Sequence, residues 1–572
     1  MIYGIGKDEF KLIWKQRERS DNFQLFRDNG YECLTAATLC NAGIKDLKEA
    51  WDFLHGDELI SPSKIRNIEA ATQIIWNHIW NHDRICIFAD YDADGITSAA
   101  IMFLALKRLG ATPAVRLPDR INEGYGINIK AIKEQIELGT KLFITVDNGV
   151  RAVDEVKYIK EQGCNVVVLD HHEPGNILPE ADALIDLHIS GETYPFIELT
   201  GSGLSWKVAH YMLEQIHAHD YAMSLVDLAA IGTIGDVAPL IGENRVIVKR
   251  AIKRMRSCSY DRPGVIALLK DISSVTAETI AFQLAPCLNA SGRLNERGAE
   301  LPLILLLETD VQVASMLAEK LTGENNRRKE IQANCYTAAK EAAEQQISKG
   351  NKVLVICQKE AQSGIAGLLA GNLKEEYNRP SIVFCPKKDL NGNLVWTGSA
   401  RSIEGFHILD AITACGEHLI TFGGHSLAAG LTIEASDERL AAFETAINKY
   451  AEFLDDEALT PKSWWDLEIS ADELSDSLYS EMDLLEPFGA AVPKPIVKLD
   501  VILDEKTSHK VIGMGKEHIK LFAPKFSLIG FSLAEKYIKA QLPQHITAYG
   551  CLSRNCYRGE TYNEIMMQDC EN

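Results

Sequence analysis

The amino-acid sequence predicts an α/β protein: a parallel-sheet domain, a long connecting helix, a smaller α/β domain and a small C-terminal β-barrel. Three observations predict it. Between residues 84 and 170 three short apolar runs, RICIFAD (84–90), KLFITVD (141–147) and CNVVVLD (164–170), alternate with helical stretches such as TSAAIMFLALKRLG (97–110) and RAVDEVKYIKEQG (151–163). Strands alternating with helices imply βαβ units and a parallel sheet. Residues 311–349 are rich in Ala, Glu, Lys and Gln and lack proline, which reads as one long helix, with Gly323 as its only candidate break. From Ile496 onward short alternating runs dominate (IVKLDVIL, HIKLFAP, SLIGFSL, HITAYGCL), as in a small barrel.

The elements follow in order. Residues 1–80 read as a helical region, and Ile65 to Trp80 carries apolar positions at helical spacing. Residues 81–310 form the parallel-sheet domain. The connecting helix occupies 311–349, and a second α/β domain takes 350–455, with strands in NKVLVICQ (351–358), PSIVFCP (380–386) and LVWTGSARS (394–402) and a helix in FHILDAITAC (406–415). Segment 451–490 holds twelve acidic residues and one Lys and reads as a linker or a solvated face; with the barrel it makes up 456–572.

Composition sets bounds. At about 150 residues per domain, 572 residues suggest three or four domains. A chain that is 46% hydrophobic and 24% charged is an ordinary globular one, not a disordered one. No apolar run reaches the roughly 18 residues of a membrane span, and the N-terminus (MIYGIGKDEFKLIWKQRERS) shows no secretion signal. Thirteen cysteines without a CxxC pair, several inside apolar runs (Cys86, Cys357, Cys385), suit reduced thiols in the cytoplasm. The net charge of −21 argues against a phosphate-backbone partner. About half of it falls in 451–490, however, and 498–572 carries ten basic and nine acidic residues, which leaves room for a local basic surface.

The chemistry concentrates at the ends of the apolar runs. In open parallel sheets ligands bind at the carboxyl ends of the strands, and Asp90, Asp147 and Asp170 all stand there. Asp90, Asp92 and Asp94 place three carboxylates on alternate residues of DYDADG (90–95). Converged carboxylates repel strongly unless cations neutralise them, and Mg²⁺ or Mn²⁺ suits oxygen-rich sites. An EF-hand is excluded, because its twelfth position would be Ile101 or Phe103 rather than Glu; a solvated acidic loop is the bland alternative. Asp170-His171-His172 adds imidazoles, and Asp236, after the apolar helix-like stretch 225–236, adds another carboxylate. Together they offer enough ligands for two divalent ions roughly 3.5–4 Å apart, the arrangement of phosphoryl chemistry. Imidazole favours Mn²⁺ somewhat over Mg²⁺.

DYDADG (90–95), VDNG (146–149), DHH (170–172), GDVAPL (235–240) and GGH (423–425) resemble the DHH phosphoesterase superfamily. With RINEGYG (120–126), NASGRL (289–294) and SARS (399–402) in order, the chain is similar to the bacterial 5′→3′ single-strand-specific DNA exonucleases of that superfamily. The resemblance implies a DHH domain, a DHHA1-type substrate domain and an OB-like nucleic-acid-binding domain. It implies metal ligation by Asp92, Asp94, Asp147, His171 and Asp236, with Asp147 bridging two Mn²⁺ or Mg²⁺ ions. Asp90 ligates or supports; Phe88 stands where small phosphatases carry a metal-binding His. Asp170 would orient the imidazoles, and His172 would contact the scissile phosphate. Arg120, Arg293, Ser399 and Arg401 would hold a 5′-terminal phosphate, with Gly423 and Gly424 letting backbone approach it beside His425. Lys516, Lys520 and Arg558 would line the single-strand groove. The implied activity is release of 5′-mononucleotides from single-stranded DNA, or RNA, in repair and recombination, by a cytoplasmic monomer partnered with a single-strand-binding protein or a helicase. Two alternatives stay open: a phosphodiesterase for short oligonucleotides or cyclic dinucleotides, and an inactive DNA-binding scaffold. The chain departs from the family pattern at FGAAVPKP (488–495), where Gly-Asn is expected at Ala491 and Val492, at Asn372, where Arg is expected, and at Ser291.

Overall fold

The computed structural model describes residues 12–119, 123, 126–272, 274–295, 298–389, 392–502, 508–513, 515–523, 526–539, 545–557 and 560–571. The chain divides into two units. One holds residues 47–328 and 486–493; the other holds 1–46, 329–485 and 494–572.

The first unit is built on a parallel sheet of five strands, β1 (Arg84–Ala89), β2 (Ala114–Arg116), β3 (Thr140–Val146), β4 (Asn165–Leu169) and β5 (Ala183–Ile185), in the order β2-β1-β3-β4-β5. In β1 only Arg84 is exposed, because helices cover both faces and a strand buried on both sides needs no polar alternation. Cys86, Phe88, Phe143, Val166 and Val168 pack against Ile132 of α3 (Ile129–Glu137) and Val156 and Ile159 of α4 (Val153–Glu161). The alternate residues turn to the opposite face, where α1 (Ile68–Trp80), α2 (Ala93–Arg108) and α5 (Gly201–Glu214) lie. Beyond α6 (His219–Ser224), helix α7 (Val226–Gly235) is buried from Val226 to Ile234. It packs against α2, α5 and α8 (Gly242–Met255), as an all-round apolar helix must. α9 (Ala285–Leu294) follows.

α10 (Val311–Ser348) runs through Gly323 without a break. In the second unit its last turns (Tyr336, Ala339, Ala343) pack with α11 (Ala366–Tyr377) on one face of a second sheet, and α12 (Asp437–Tyr450) covers the other through Phe443 and Ile447. That sheet holds β6 (Leu354–Cys357), β7 (Ser381–Lys388), β8 (Leu394–Arg401), β9 (Thr421–Gly424) and β10 (Ala428–Glu434) in the order β9-β10-β8-β7-β6. The C-terminal part is a seven-stranded mixed sheet of β11 (Leu467–Ile469), β12 (Val497–Ile502), β13 (Ser508–Ile512), β14 (His518–Phe522), β15 (Ser527–Gly530), β16 (His545–Tyr557) and β17 (Glu560–Glu571), ordered β11-β12-β16-β17-β15-β14-β13.

Three features depart from the sequence reading. The N-terminal region is not all helical: Ile13–Gln16 pairs in parallel with Lys462–Trp465, and residues 1–46 and 47–80 belong to different units. The acidic stretch is folded through 485, with Tyr479, Met482 and Leu485 buried. Buried Asp466 ties it down by accepting from Arg17 Nε (2.8 Å), Asn41 Nδ2 (2.7 Å) and Ile496 N (2.8 Å). Finally, 486–493 leaves the second unit to dock on the first. There the buried Arg245 guanidinium donates to the carbonyls of Phe53, Pro487 and Glu486, and Leu240 N donates to Ala490 O. Among the described residues no helix is long and apolar enough to cross a membrane.

Ala491 sits in this docked segment at φ +60°, a left-handed conformation that costs a residue with a Cβ about 1–2 kcal/mol. The expected Gly at this position would adopt it freely. Ala491→Gly is therefore expected to raise stability by about 0.5–1 kcal/mol after its greater unfolded-chain entropy is deducted, read as a rise of roughly 1–3 °C in the melting midpoint. A lower midpoint would contradict this reading.

Candidate metal centre

Four neighbouring strands end in the same register on an aspartate. Ala89 pairs with Val146, Val146 with Leu169, and Leu169 with Ile185, so the next residues are Asp90, Asp147, Asp170 and Asp186. Asp147 turns away from its strand at φ +60°, a conformation unusual for a residue other than Gly that clusters at functional sites. After β1 the chain enters α2 through Asp92, whose Oδ1 caps the helix by accepting from Asp94 N (3.0 Å) and Gly95 N (3.1 Å). Asp94, in the first turn of α2, is buried. Asp236 caps the C-terminus of α7.

These elements bring the side chains together. His171 Nε2 lies 3.0 Å from Asp147 Oδ1, 3.7 Å from Asp94 Oδ2 and 3.9 Å from Asp236 Oδ2. Three overlapping groups have donor atoms within 4.8 Å of one another: Asp90, Asp92 and Asp147; Asp94, His171 and Asp236; Asp147, His171 and His172. Asp147 and His171 each belong to two of them, as a pair of adjacent cations requires.

The electrostatics fit cations. Burial, then repulsion from Asp94, Asp92, Asp90 and Asp236, raises the Asp147 carboxyl well above its ordinary range. Burial, then Asp94 and Asp92, pushes Asp236 up to about 8. Among the described residues the buried Asp94 Oδ2 accepts no hydrogen bond, although a buried carboxylate oxygen ordinarily has a partner. Oxygen-rich donors that repel one another, one of them buried without a hydrogen, suit hard divalent ions with imidazole at one edge.

Asp170 behaves differently. Burial raises it, but the hydrogen bond and charge of His172, the Val150 amide and His171 outweigh burial and hold it low. Its Oδ1 accepts from His172 Nδ1 (2.8 Å) and from the His171 amide (2.8 Å), and its Oδ2 from Val150 N (2.8 Å). Burial lowers His172, yet its hydrogen bond to Asp170 and the charge of Asp170 override it and raise the ring to about 9.

Supporting groups escaped the sequence reading. Asp186 ends the three-residue strand β5 and accepts from His188 N (2.8 Å). Thr200 caps α5, and the first amides of that helix face the carboxylates: Ser202 N donates to Asp94 Oδ1 (3.0 Å). A Cβ on Gly201 would stand 2.6 Å from Asp147 Cβ, and one on Gly232 of α7 would stand 2.4 Å from Asp94 Oδ1 and 2.2 Å from Ser202 Oγ. The motif Thr-Gly-Ser-Gly (200–203) ahead of an apolar helix was the available signal for Thr200, Gly201 and Ser202.

The remaining predicted residues fall elsewhere. Arg293 closes the last turn of α9, and its neighbour Gly292 lies against the Tyr91 carbonyl. In the second unit, cross-strand rows run Gly423–Gly430–Ser399 and Gly424–Ala429–Ala400, and His425 N donates to Ala428 O opposite Arg401. Ser399 with Gly423 and Arg401 with His425 thus stand two rows apart on one sheet, with Gly424 in the row between. Arg401 Nη1 donates to Ser399 Oγ (3.0 Å), and Gly367 at the start of α11 leaves space for both side chains. Lys516 is exposed in a turn, whereas Lys520 pairs with the buried Glu564 and so carries little free charge toward a phosphate. Arg120 and Arg558 lie outside the described residues.

Comparison with known proteins agrees with this geometry. Residues 84–233 match the model of the DHH family N-terminal domain, 350–453 the DHHA1 domain and 465–569 the RecJ OB domain. The chain is 34% identical over 547 residues to the single-stranded-DNA-specific exonuclease RecJ of Bacillus subtilis, covering 94% of this chain and 67% of that one. It is 32% identical to RecJ of Haemophilus influenzae, covering 90% and 92%. The crystal structure of Thermus thermophilus RecJ with Mn²⁺ superposes at a TM-score of 0.81 and 25% identity over 98% of this chain and 80% of that one. A Mg²⁺ complex from the same organism gives 0.75 at 23% identity, over 98% and 78%.

Gly232→Ala is expected to push Asp94 out of the cluster and to weaken Mn²⁺ binding at least tenfold, with a stability loss of about 1–3 kcal/mol from overpacking. Calorimetric Mn²⁺ titration beside thermal melting reads both; Mn²⁺ affinity equal to that of the unsubstituted chain would remove Gly232 from the account.

Proposed function

The chain belongs to the RecJ family of single-stranded-DNA-specific exonucleases, and on that premise we propose that it removes 5′-mononucleotides in turn from the 5′ end of single-stranded DNA. It is a metal-dependent nuclease of the phosphodiester-hydrolysing class. The observation that carries the reading is His171 Nε2 within 3.9 Å of carboxylates delivered by β3, α2 and α7.

The residues divide the work. Asp90, Asp92 and Asp147 would hold one divalent cation, and Asp94, His171 and Asp236 the other, with Asp147 reaching both; the chemistry of the donors suits Mn²⁺ or Mg²⁺. Such ions supply Lewis acidity, which acidifies water and offsets charge building on the phosphate. His172, oriented by Asp170, donates its Nε2–H to a non-bridging phosphate oxygen. The Thr200–Ser202 end of α5 holds Asp94 in place. Ser399, Arg401, Gly423, Gly424 and His425 would receive the terminal phosphate on the second sheet, and Arg120 and Arg293 would be phosphate contacts of the first unit. Lys516 and Arg558 would contact the strand from the OB domain. We place the reaction in the cytoplasm, in DNA repair and recombination, with the free cysteines suited to a reducing compartment. Single-strand-binding and helicase proteins would be its partners, and the chain would act as a monomer.

The test is release of nucleotides from 5′-phosphorylated single strands, with duplex and RNA strands alongside. Mononucleotide release in Mn²⁺ or Mg²⁺ is expected, with abolition by a chelator and by Asp147→Ala, and a loss of roughly 10–100-fold for Asp170→Asn, which removes only support. Intact single strands with metal-loaded, folded protein would refute the assignment. Activity confined to dinucleotides would move it to the short-oligonucleotide phosphodiesterases.

A further inference from the structure

The far end of α5 carries a second constellation that the nuclease reading does not use. His210 and Glu214 stand one turn apart on α5, and His219 opens α6. Glu214 Oε1 accepts from both rings, from His210 Nε2 at 3.0 Å and His219 Nδ1 at 2.8 Å. One donor atom from each of the three residues lies within 4.8 Å of the others. Trp206 stacks on His210 at a centroid separation of 5.3 Å and restrains the ring.

We propose that His210, Glu214 and His219 form a second divalent-cation site, selective for Zn²⁺ over Mg²⁺. Two imidazoles and one carboxylate are a three-ligand zinc set, to which water adds the open position; Mg²⁺ prefers oxygen throughout. The i, i+4 spacing on a helix presents His210 and Glu214 side by side. Zinc–ligand distances of about 2.0–2.2 Å at tetrahedral angles put donor atoms roughly 3.3–3.5 Å apart, so the two ring nitrogens need retreat from the carboxylate by only about half an ångström.

The surroundings favour entry of a cation. The side chains of Glu214 and His219 are 54% and 59% exposed, and Glu214 is the last residue of α5, where unpaired helix carbonyls attract positive charge. At 1.5 Å per residue the site lies about 20 Å along α5 from Gly201 and the carboxylates, so a cation here is separate from the nuclease centre. It would bridge α5 to α6 at the other end of the helix that supports Asp94 and Asp147. One feature limits affinity. His210 Nδ1 is buried and has no hydrogen-bond partner among the described residues. Ligation through Nε2 moves the ring proton to that nitrogen, without the acceptor that ordinarily strengthens a metal-bound His by 10–100-fold. Binding on the order of micromolar follows, well short of a structural zinc finger.

Zinc titrated calorimetrically into the full chain in excess Mg²⁺ tests the proposal, with Asp147→Ala as a second background in which the nuclease centre is impaired. In both backgrounds His219→Ala and, separately, Glu214→Gln are expected to remove one equivalent of bound Zn²⁺. Zn²⁺ should also raise the melting midpoint of the Asp147→Ala chain and fail to do so once His219→Ala is added. Both substituted side chains are exposed, and unchanged melting in chelator verifies folding. Unaltered zinc stoichiometry in His219→Ala and Glu214→Gln overturns the site. The result is independent of nuclease activity, which failure of this site would leave untouched.

Discussion

Mutual repulsion of crowded carboxylates is the constraint around which the catalytic unit is organised. Asp90, Asp92, Asp94, Asp147 and Asp236 converge on one sheet edge. Two unit charges about 4 Å apart at an effective dielectric of 20 repel by about 4 kcal/mol. The N-terminus of α5, with Ser202 N on Asp94, offsets part of this, but a helix end contributes at most about 2 kcal/mol. Neither it nor a single imidazole balances the cluster. Divalent cations do, and the same ions then serve the chemistry. The raised Asp147 and Asp236 carboxyls record the imbalance that metal binding relieves.

Around that constraint the sheet acts as a jig. Parallel strands in register deliver aspartates side by side, and helices returning over the sheet deliver Asp94 and Asp236 to the same edge. Asp170 is the exception that makes the set work: its hydrogen bonds keep it ionised, and it holds the His172 ring in place beside the cluster. The second unit uses a different device, cross-strand rows in an antiparallel sheet, to place Ser399, Arg401, Gly423 and His425 together.

Much of this was legible because the signals are local. An apolar run ending in Asp marks a buried strand and its carboxyl edge at once, which placed Asp90, Asp147 and Asp170. The all-apolar helix before Asp236 and the proline-free stretch of α10 were equally plain. What stayed hidden is non-local. Asp186 follows a strand of three residues, too short for any period. Gly232 matters through close approach to Asp94, which no pattern in its own segment encodes. Ile13–Gln16 becomes a strand only because Lys462–Trp465 lies beside it, and Lys520 loses its free charge to Glu564, on another strand. Acidic composition suggested a linker at 451–490, where Asp466 instead serves as a buried anchor.

The most direct measurement is thermal melting of the chain and of Asp236→Asn, each in chelator and in Mn²⁺. If carboxylate repulsion balanced by cations governs the site, Asp236→Asn melts higher than the unsubstituted chain in chelator, and Mn²⁺ raises its midpoint far less. A variant that melts no higher in chelator, or that gains as much from Mn²⁺, would contradict the account.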